Sequence, residues 1–171
     1  LYGKETWLDK LPPYQGGGDM IKQVSFEKTT FNDLPFKFEA GTPNVSGAIG
    51  LQHALLFIEK YGHQHFMAYE KELLDYAVSQ MQSLENIRFI GTASHKSAVI
   101  SFLLEPHHPT DVGTLIDFMG VAVRTGHHCT QPLMDYLGIP GTIRASFAPY
   151  NTKDEVDHFV HALHTANKML A

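Results

Sequence analysis

The sequence predicts an α+β fold, a small and mostly antiparallel sheet with helices packed on one of its faces. Two observations carry this prediction. From about residue 46 onward, apolar periodicities of 3.6 and 2 residues succeed one another in the order α-α-β-β-α-β-β-α. Strands that adjoin directly, with no crossover helix between them, pair as hairpins and make the sheet antiparallel.

The first forty-odd residues are broken by "LPPYQGGGD" and "LPFKFEAGTPN". Such Pro and Gly density makes turns rather than long elements, and no apolar face there is large enough to form a core. Asn44 is a good helix cap, and behind it Ile49, Leu51, Leu55, Leu56 and Ile58 recur at helical spacing, with Gly62 as the stop. A second helix carries Phe66, Leu73, Ala77, Met81 and Leu84 on one stripe. "IRFIG" and "SAVISFLL" are rich in β-branched and aromatic residues and read as strands.

Val112, Leu115, Ile116 and Met119 then mark a helix that Gly120 closes. "VAVRTG" is a short strand and "PLMDYLG" a helical turn. In "GTIRASFA" the apolar Ile143, Ala145 and Phe147 share one face, and Thr142, Arg144 and Ser146 share the other. The last helix opens on a T-x-x-E capping box, Thr152 with Glu155, and its stripe is Val156, Phe159, Val160, Leu163 and Leu170.

Composition narrows the function. With a net charge of −5 and no lysine or arginine run, the chain is not built for a nucleic-acid or anionic-membrane surface. No apolar run approaches the roughly 18–20 residues that a membrane span needs. A single cysteine leaves no internal disulfide and no CxxC zinc site, which fits a reducing compartment.

That cysteine, Cys129, sits in "RTGHHCTQP", a polar, glycine-interrupted connection between two strands. On the residues alone three readings stay open. Free cysteines are most often packing residues. A loop position beside Arg124 and two imidazoles favours a reactive thiolate instead. A metal site needs ligands two to five residues apart, and the consecutive His127, His128 and Cys129 do not supply that spacing. Arg144, flanked by Thr142 and Ser146, is either a solvated arginine or a planar grip for a carboxylate. Thr42, in "EAGTPN" just before a helix start, suits a phosphate, or else belongs to a plain Thr-Pro turn. The Gly16–Gly18 run follows no convincing strand and is weak as a phosphate motif.

Taken together, "RTGHHC" with its following Pro132, "IRASFAPYNTKDEVD" and "FEAGTPN" resemble the C-terminal half of a group II, SufS-type, cysteine desulfurase. These are pyridoxal-phosphate-dependent enzymes of the class V aminotransferase fold. "PPYQGGGDMI" and "HHPTDVG" fit the same pattern, so the resemblance runs nearly end to end. A selenocysteine lyase is a related alternative, and a non-catalytic protein-interaction domain derived from this fold is another.

The resemblance implies that residues 46–171 form the small C-terminal domain of a fold-type I enzyme, linking helix included. Residues 1–45 would be a tail of its large cofactor-binding domain. Cys129 matches the cysteine that takes sulfur from the substrate, and Arg144 the arginine that binds the substrate carboxylate, with Arg124 bordering the site. Thr42 matches the threonine that reaches the cofactor phosphate across a dimer interface. No role is implied for His127 or His128.

The resemblance further implies a cytoplasmic homodimer that converts L-cysteine to L-alanine. Its persulfide would pass to a SUF-type acceptor protein for iron–sulfur cluster assembly, with no nucleic acid or membrane as partner. The family's cofactor lysine belongs to a His-Lys element expected before "LYGK". "SHK" at Ser94–Lys96 imitates it, but Lys96 reads as a surface lysine. The chain alone is therefore expected to bind no pyridoxal phosphate covalently and to be inactive.

Overall fold

The computed structural model describes residues 2–171. The chain divides into two compact units, one ending at Lys60 and the other spanning Tyr61–Ala171.

The first unit holds a short helix α1 (Glu5–Leu8), an antiparallel hairpin of β1 (Ile21–Val24) and β2 (Thr29–Phe31), a 3₁₀ turn over Phe36–Phe38, and helix α2 (Val45–Tyr61). Its loops are tied by backbone and side-chain bonds rather than by a core. Lys37 Nζ donates to the carbonyls of Leu8 and Asp9, both at 2.9 Å, and Gly41 N–H donates to Gly18 O at 2.9 Å. Met20 is the one large apolar side chain of this unit that is buried among the described residues. The periodic stripe of α2 forms a helix as expected, yet no residue of α2 is buried, and Ile49 and Leu55 are each 53% exposed. The spacing fixes the helix; it does not fix what covers it.

The second unit is the α+β layer. Helix α3 (His63–Met81) leads into strands β3 (Ile87–Ile90) and β4 (Val99–Leu104). Helix α4 (Pro109–Phe118), strand β5 (Arg124–Gly126), helix α5 (Gln131–Leu137), strand β6 (Thr142–Ser146) and helix α6 (Lys153–Leu170) follow. The strands lie in the order β3-β4-β6-β5 and every neighbouring pair is antiparallel. Gly62, with φ 84°, breaks the helical run before α3, and Gly120, also at 84°, ends α4.

Alternation along the strands decides what each face meets. Ile100, Phe102 and Leu104 of β4, with Ile143 and Ala145 of β6, point into a core completed by Leu73, Ala77 and Met81 of α3. Val112 and Ile116 of α4, and Val156, Phe159 and Leu163 of α6, close that core. These are the stripes the periodicity marks out. Thr152 accepts from Glu155 N–H, and Glu155 reaches back to Thr152 N–H at 2.8 Å, so the capping box forms as read. The three long helices cover one face of the sheet. On the other, Leu103 is covered by Met134 of α5 and by Ile139, a small second cluster that leaves the β6–β5 end open.

Candidate functional site

The open end is built by cross-strand register. Arg124 of β5 stands directly opposite Arg144 of β6, and Arg144 stands opposite Ser101 of β4. Opposed residues of antiparallel strands project to the same face. Ile143 belongs to the helix-side core, so the two arginines occupy the face that α3, α4 and α6 do not cover. Arg144 is half-buried and Arg124 exposed.

After β5 the chain reverses sharply. Thr130 N–H donates to His127 O at 2.9 Å, and the two residues between them, His128 and Cys129, have φ of 54° and 61°. Positive φ at both central residues is the type I′ pattern, which ordinarily selects Asn-Gly. For residues with a Cβ it costs roughly 1–2 kcal/mol each. The turn is held from outside by side chains. Thr130 Oγ1 donates to His127 O at 2.8 Å, and His128 Nε2 lies 2.8 Å from Thr142 Oγ1 and 3.2 Å from the Thr142 carbonyl oxygen. Leu133 N–H then bonds to Thr130 O, and α5 begins.

Cys129 is exposed rather than packed in the core. Arg124 Nη2 lies 3.7 Å from Cys129 Sγ as a donor to it. Among the described residues no three His, Cys, Asp or Glu side chains gather where they could share a metal ion.

Burial lowers the His128 pKa below the ordinary histidine value, and the nearby charges of Arg144, Arg124 and His127 push the same way. The bond to the Thr142 backbone acts against them. At neutral pH the ring is therefore uncharged. Thr142 departs from the expected polar strip: it is 1% exposed, sealed beneath His128, so the open strip consists of Arg144 and Ser146.

The close approach of β5 to the start of β6 depends on glycine. A Cβ at Gly141, whose φ is 142°, would lie 2.9 Å from the carbonyl carbon and oxygen of Gly126. Neither backbone can yield without moving the turn. Gly141→Ala is expected to destabilise the protein by roughly 2–4 kcal/mol, from backbone strain and overpacking together. A urea titration checks this, and an unchanged midpoint would contradict the packing described.

Cys129, Arg124 and Arg144 are thus brought together within the second unit. Thr42 belongs to the first. Its side chain is exposed, and its hydroxyl bonds to no other described residue. Asn44, two positions on, caps α2 by accepting from Gly47 N–H at 2.9 Å, which leaves Thr42 outside the helix's own bonding. One free hydroxyl fits a contact to a phosphate oxygen, but by itself it does not build a cofactor pocket. Lys96 is exposed on the β3–β4 connection, and its ammonium donates to Gly91 O at 3.3 Å. The tie between His128 and Thr142 was not legible in the sequence. The partners are 14 residues apart, and only the pairing of β5 with β6 brings them together.

The antiparallel sheet, the helices on one side of it and the thiol facing two arginines have counterparts among known proteins. The aminotransferase class-V family profile matches residues 1–159, and the chain belongs to that family. A probable cysteine desulfurase of Xylella fastidiosa is 45% identical over 170 residues, which cover 99% of this chain and 41% of that protein. An Escherichia coli cysteine desulfurase is 46% identical over 171 residues, covering 99% of this chain and 42% of that one. The crystal structure of the E. coli cysteine desulfurase CsdA superposes with a TM-score of 0.86 at 39% identity, over 98% of this chain and 42% of that chain. The chain thus spans about two fifths of the length of these relatives. Its fold is that of the corresponding part of a fold-type I pyridoxal-phosphate enzyme. No helix among the described residues is long and apolar enough to cross a membrane.

Proposed function

We propose that this chain is the C-terminal part of a SufS-type cysteine desulfurase, and that Cys129 receives the sulfur of L-cysteine as a persulfide. The observation that carries this reading is the exposed Cys129 thiol, 3.7 Å from the Arg124 guanidinium and on the sheet end where Arg124 faces Arg144. The kinship with cysteine desulfurases supports it.

In the whole enzyme, residues 1–45 would belong to the tail of the large domain and residues 46–171 to the small domain. Thr42 would contact the phosphate of pyridoxal phosphate, which, when bound, supplies an electron sink for the substrate's α-carbon. The other steps fall to this chain's residues. Arg144 grips the substrate carboxylate with two parallel hydrogen bonds, and Arg124 completes the positive field. Cys129, as thiolate, attacks the substrate sulfur. The new S–S bond forms as the substrate's carbon–sulfur bond breaks, and the carbon keeps the electron pair, takes a proton and becomes the methyl group of alanine. Arg124 compensates the charge on Sγ before the attack. The persulfide, on an exposed turn, is open to an acceptor protein of the SUF type serving iron–sulfur cluster assembly. A cytoplasmic homodimer is the assembly this reading requires.

The test is to incubate the full-length protein with pyridoxal phosphate and L-cysteine, then to measure alanine and the mass of the Cys129 peptide. Alanine formation with one extra sulfur atom on that peptide is expected. Alanine formation with Cys129 unmodified throughout would overturn the assignment. Arg144 gives an independent check. Hydrogen bonds to charged groups are worth about 1.5–3 kcal/mol each, so Arg144→Leu should lower kcat/KM for L-cysteine by roughly 100-fold or more. Arg144→Lys should recover part of this, because a point charge replaces the planar fork. Steady-state kinetics decide it, and a wild-type kcat/KM in Arg144→Leu would remove the carboxylate role.

A further inference from the structure

The Cys129 sulfur is not carried by the sheet. Arg124 and Arg144 are fixed by strand pairing, whereas Cys129 lies in a turn whose backbone conformation is unfavourable for both central residues. Something outside the turn must set the distance between sulfur and guanidinium. Of the two adjoining histidines, His127 is exposed, while the side chain of His128 turns inward onto Thr142. Thr142 is a stiff anchor, fully buried at the start of β6 and paired with Gly126 of β5.

The ring is engaged through one nitrogen only. Nε2 meets Thr142 Oγ1 at 2.8 Å and Thr142 O at 3.2 Å, and the hydroxyl can donate or accept as the tautomer requires. Nδ1 is buried and without a partner among the described residues. An orphaned buried polar atom costs stability, so imidazole is a poor choice if position 128 merely fills space. Nor is it chosen for the backbone, since Gly or Asn adopts positive φ more readily. What imidazole supplies here is reach: a ring nitrogen far enough from Cα to bond β6.

We propose that His128 is a positioning residue, whose Nε2–Thr142 bond pins the left-handed turn to β6 and thereby holds Cys129 Sγ against Arg124. This deepens the reading of Cys129 as sulfur acceptor and rests on it. The imidazole takes no proton from the substrate in this role; it acts through the thiol's place.

The decisive comparison is among replacements at position 128. A glutamine amide nitrogen reaches about as far as Nε2, and an asparagine amide only about as far as Nδ1. His128→Gln should therefore keep the tie. His128→Asn and His128→Gly should lose it, although both suit the backbone better. Two readouts are taken on this chain: hydrogen exchange of the Thr130 amide, which closes the turn, and alkylation of Cys129 by iodoacetamide at neutral pH. The Asn and Gly variants should exchange at Thr130 at least tenfold faster than wild type and alkylate about fivefold more slowly, with Gln within twofold on both. Arg124→Gln should slow alkylation to a similar degree, and adding His128→Asn to it should slow it no further.

Asn and Gly variants that match or exceed wild-type protection at Thr130 would overturn the proposal, because the turn would then need only a permissive backbone. A distinct outcome bears on the parent reading. If protection behaves as expected but alkylation ignores both Arg124→Gln and the loss of the tie, the tether stands as structure, and its role in placing a reactive sulfur is refuted.

Discussion

Replacing Cys129 by alanine in the full-length protein is expected to reduce sulfur release from L-cysteine by about a thousandfold or more, the scale seen when a covalent nucleophile is removed. The folded protein should be otherwise unaltered. The thiol is exposed, and its hydrogen-bond partner among the described residues is Arg124, so its removal takes away no core packing. Cys129→Ser sharpens the test. Serine keeps the shape and a hydrogen-bonding oxygen, but cannot accept sulfur as a persulfide. Equal inactivity of the alanine and serine variants, with unchanged thermal unfolding, identifies sulfur chemistry as the cause. Retention of turnover within tenfold of wild type would mean that sulfur leaves by another route.

The second large effect is on stability. Phe102 lies at the centre of β4, fully buried, with its ring 6.1 Å from that of Phe159 on α6 in an edge-to-face arrangement at 66°. It therefore joins the sheet to the helical layer, and its neighbours Ile100, Leu104 and Ile143 are as deeply buried as it is. Truncating such a side chain removes apolar burial and leaves a cavity that rigid neighbours cannot fill. Phe102→Ala should cost about 3–5 kcal/mol, a large part of the roughly 5–15 kcal/mol that a domain possesses. Phe102→Leu, which keeps most of the volume, should cost markedly less. Denaturant unfolding compares the three proteins. A loss under 1 kcal/mol for the alanine variant would contradict a core centred on β4.

Where apolar period and local capping decide the outcome, the sequence carried the fold. The stripes of α3, α4 and α6, the box at Thr152 and Glu155, the stops at Gly62 and Gly120, and the direct join of β3 to β4 all depend on nearby sequence, whereas β5 reaches β6 only through α5. The site was legible to a lesser degree. Arg144 on the polar side of its strand follows from alternation. That Arg124 stands opposite it follows only from register, which no local signal reports. The turn at His127–Thr130 was hidden more deeply. Its backbone form is the one Asn-Gly would advertise, yet the residues are His and Cys, held there by a threonine 14 positions away. Helix α2 shows the converse limit, since its stripe marks a helix but is silent about the surface that meets it.

The pairing of Arg124 with Arg144 has an energetic consequence for the resting protein. Like charges directly opposite on adjacent strands repel, and among the described residues neither guanidinium is bonded to a carboxylate. The strands are held together despite this contact, by the core beneath them. An anion that settles between the two cations binds the native state alone, because unfolding separates the pair. Its arrival therefore raises the free energy of unfolding, and anion binding and folding become thermodynamically linked. The sheet end is most at ease when occupied.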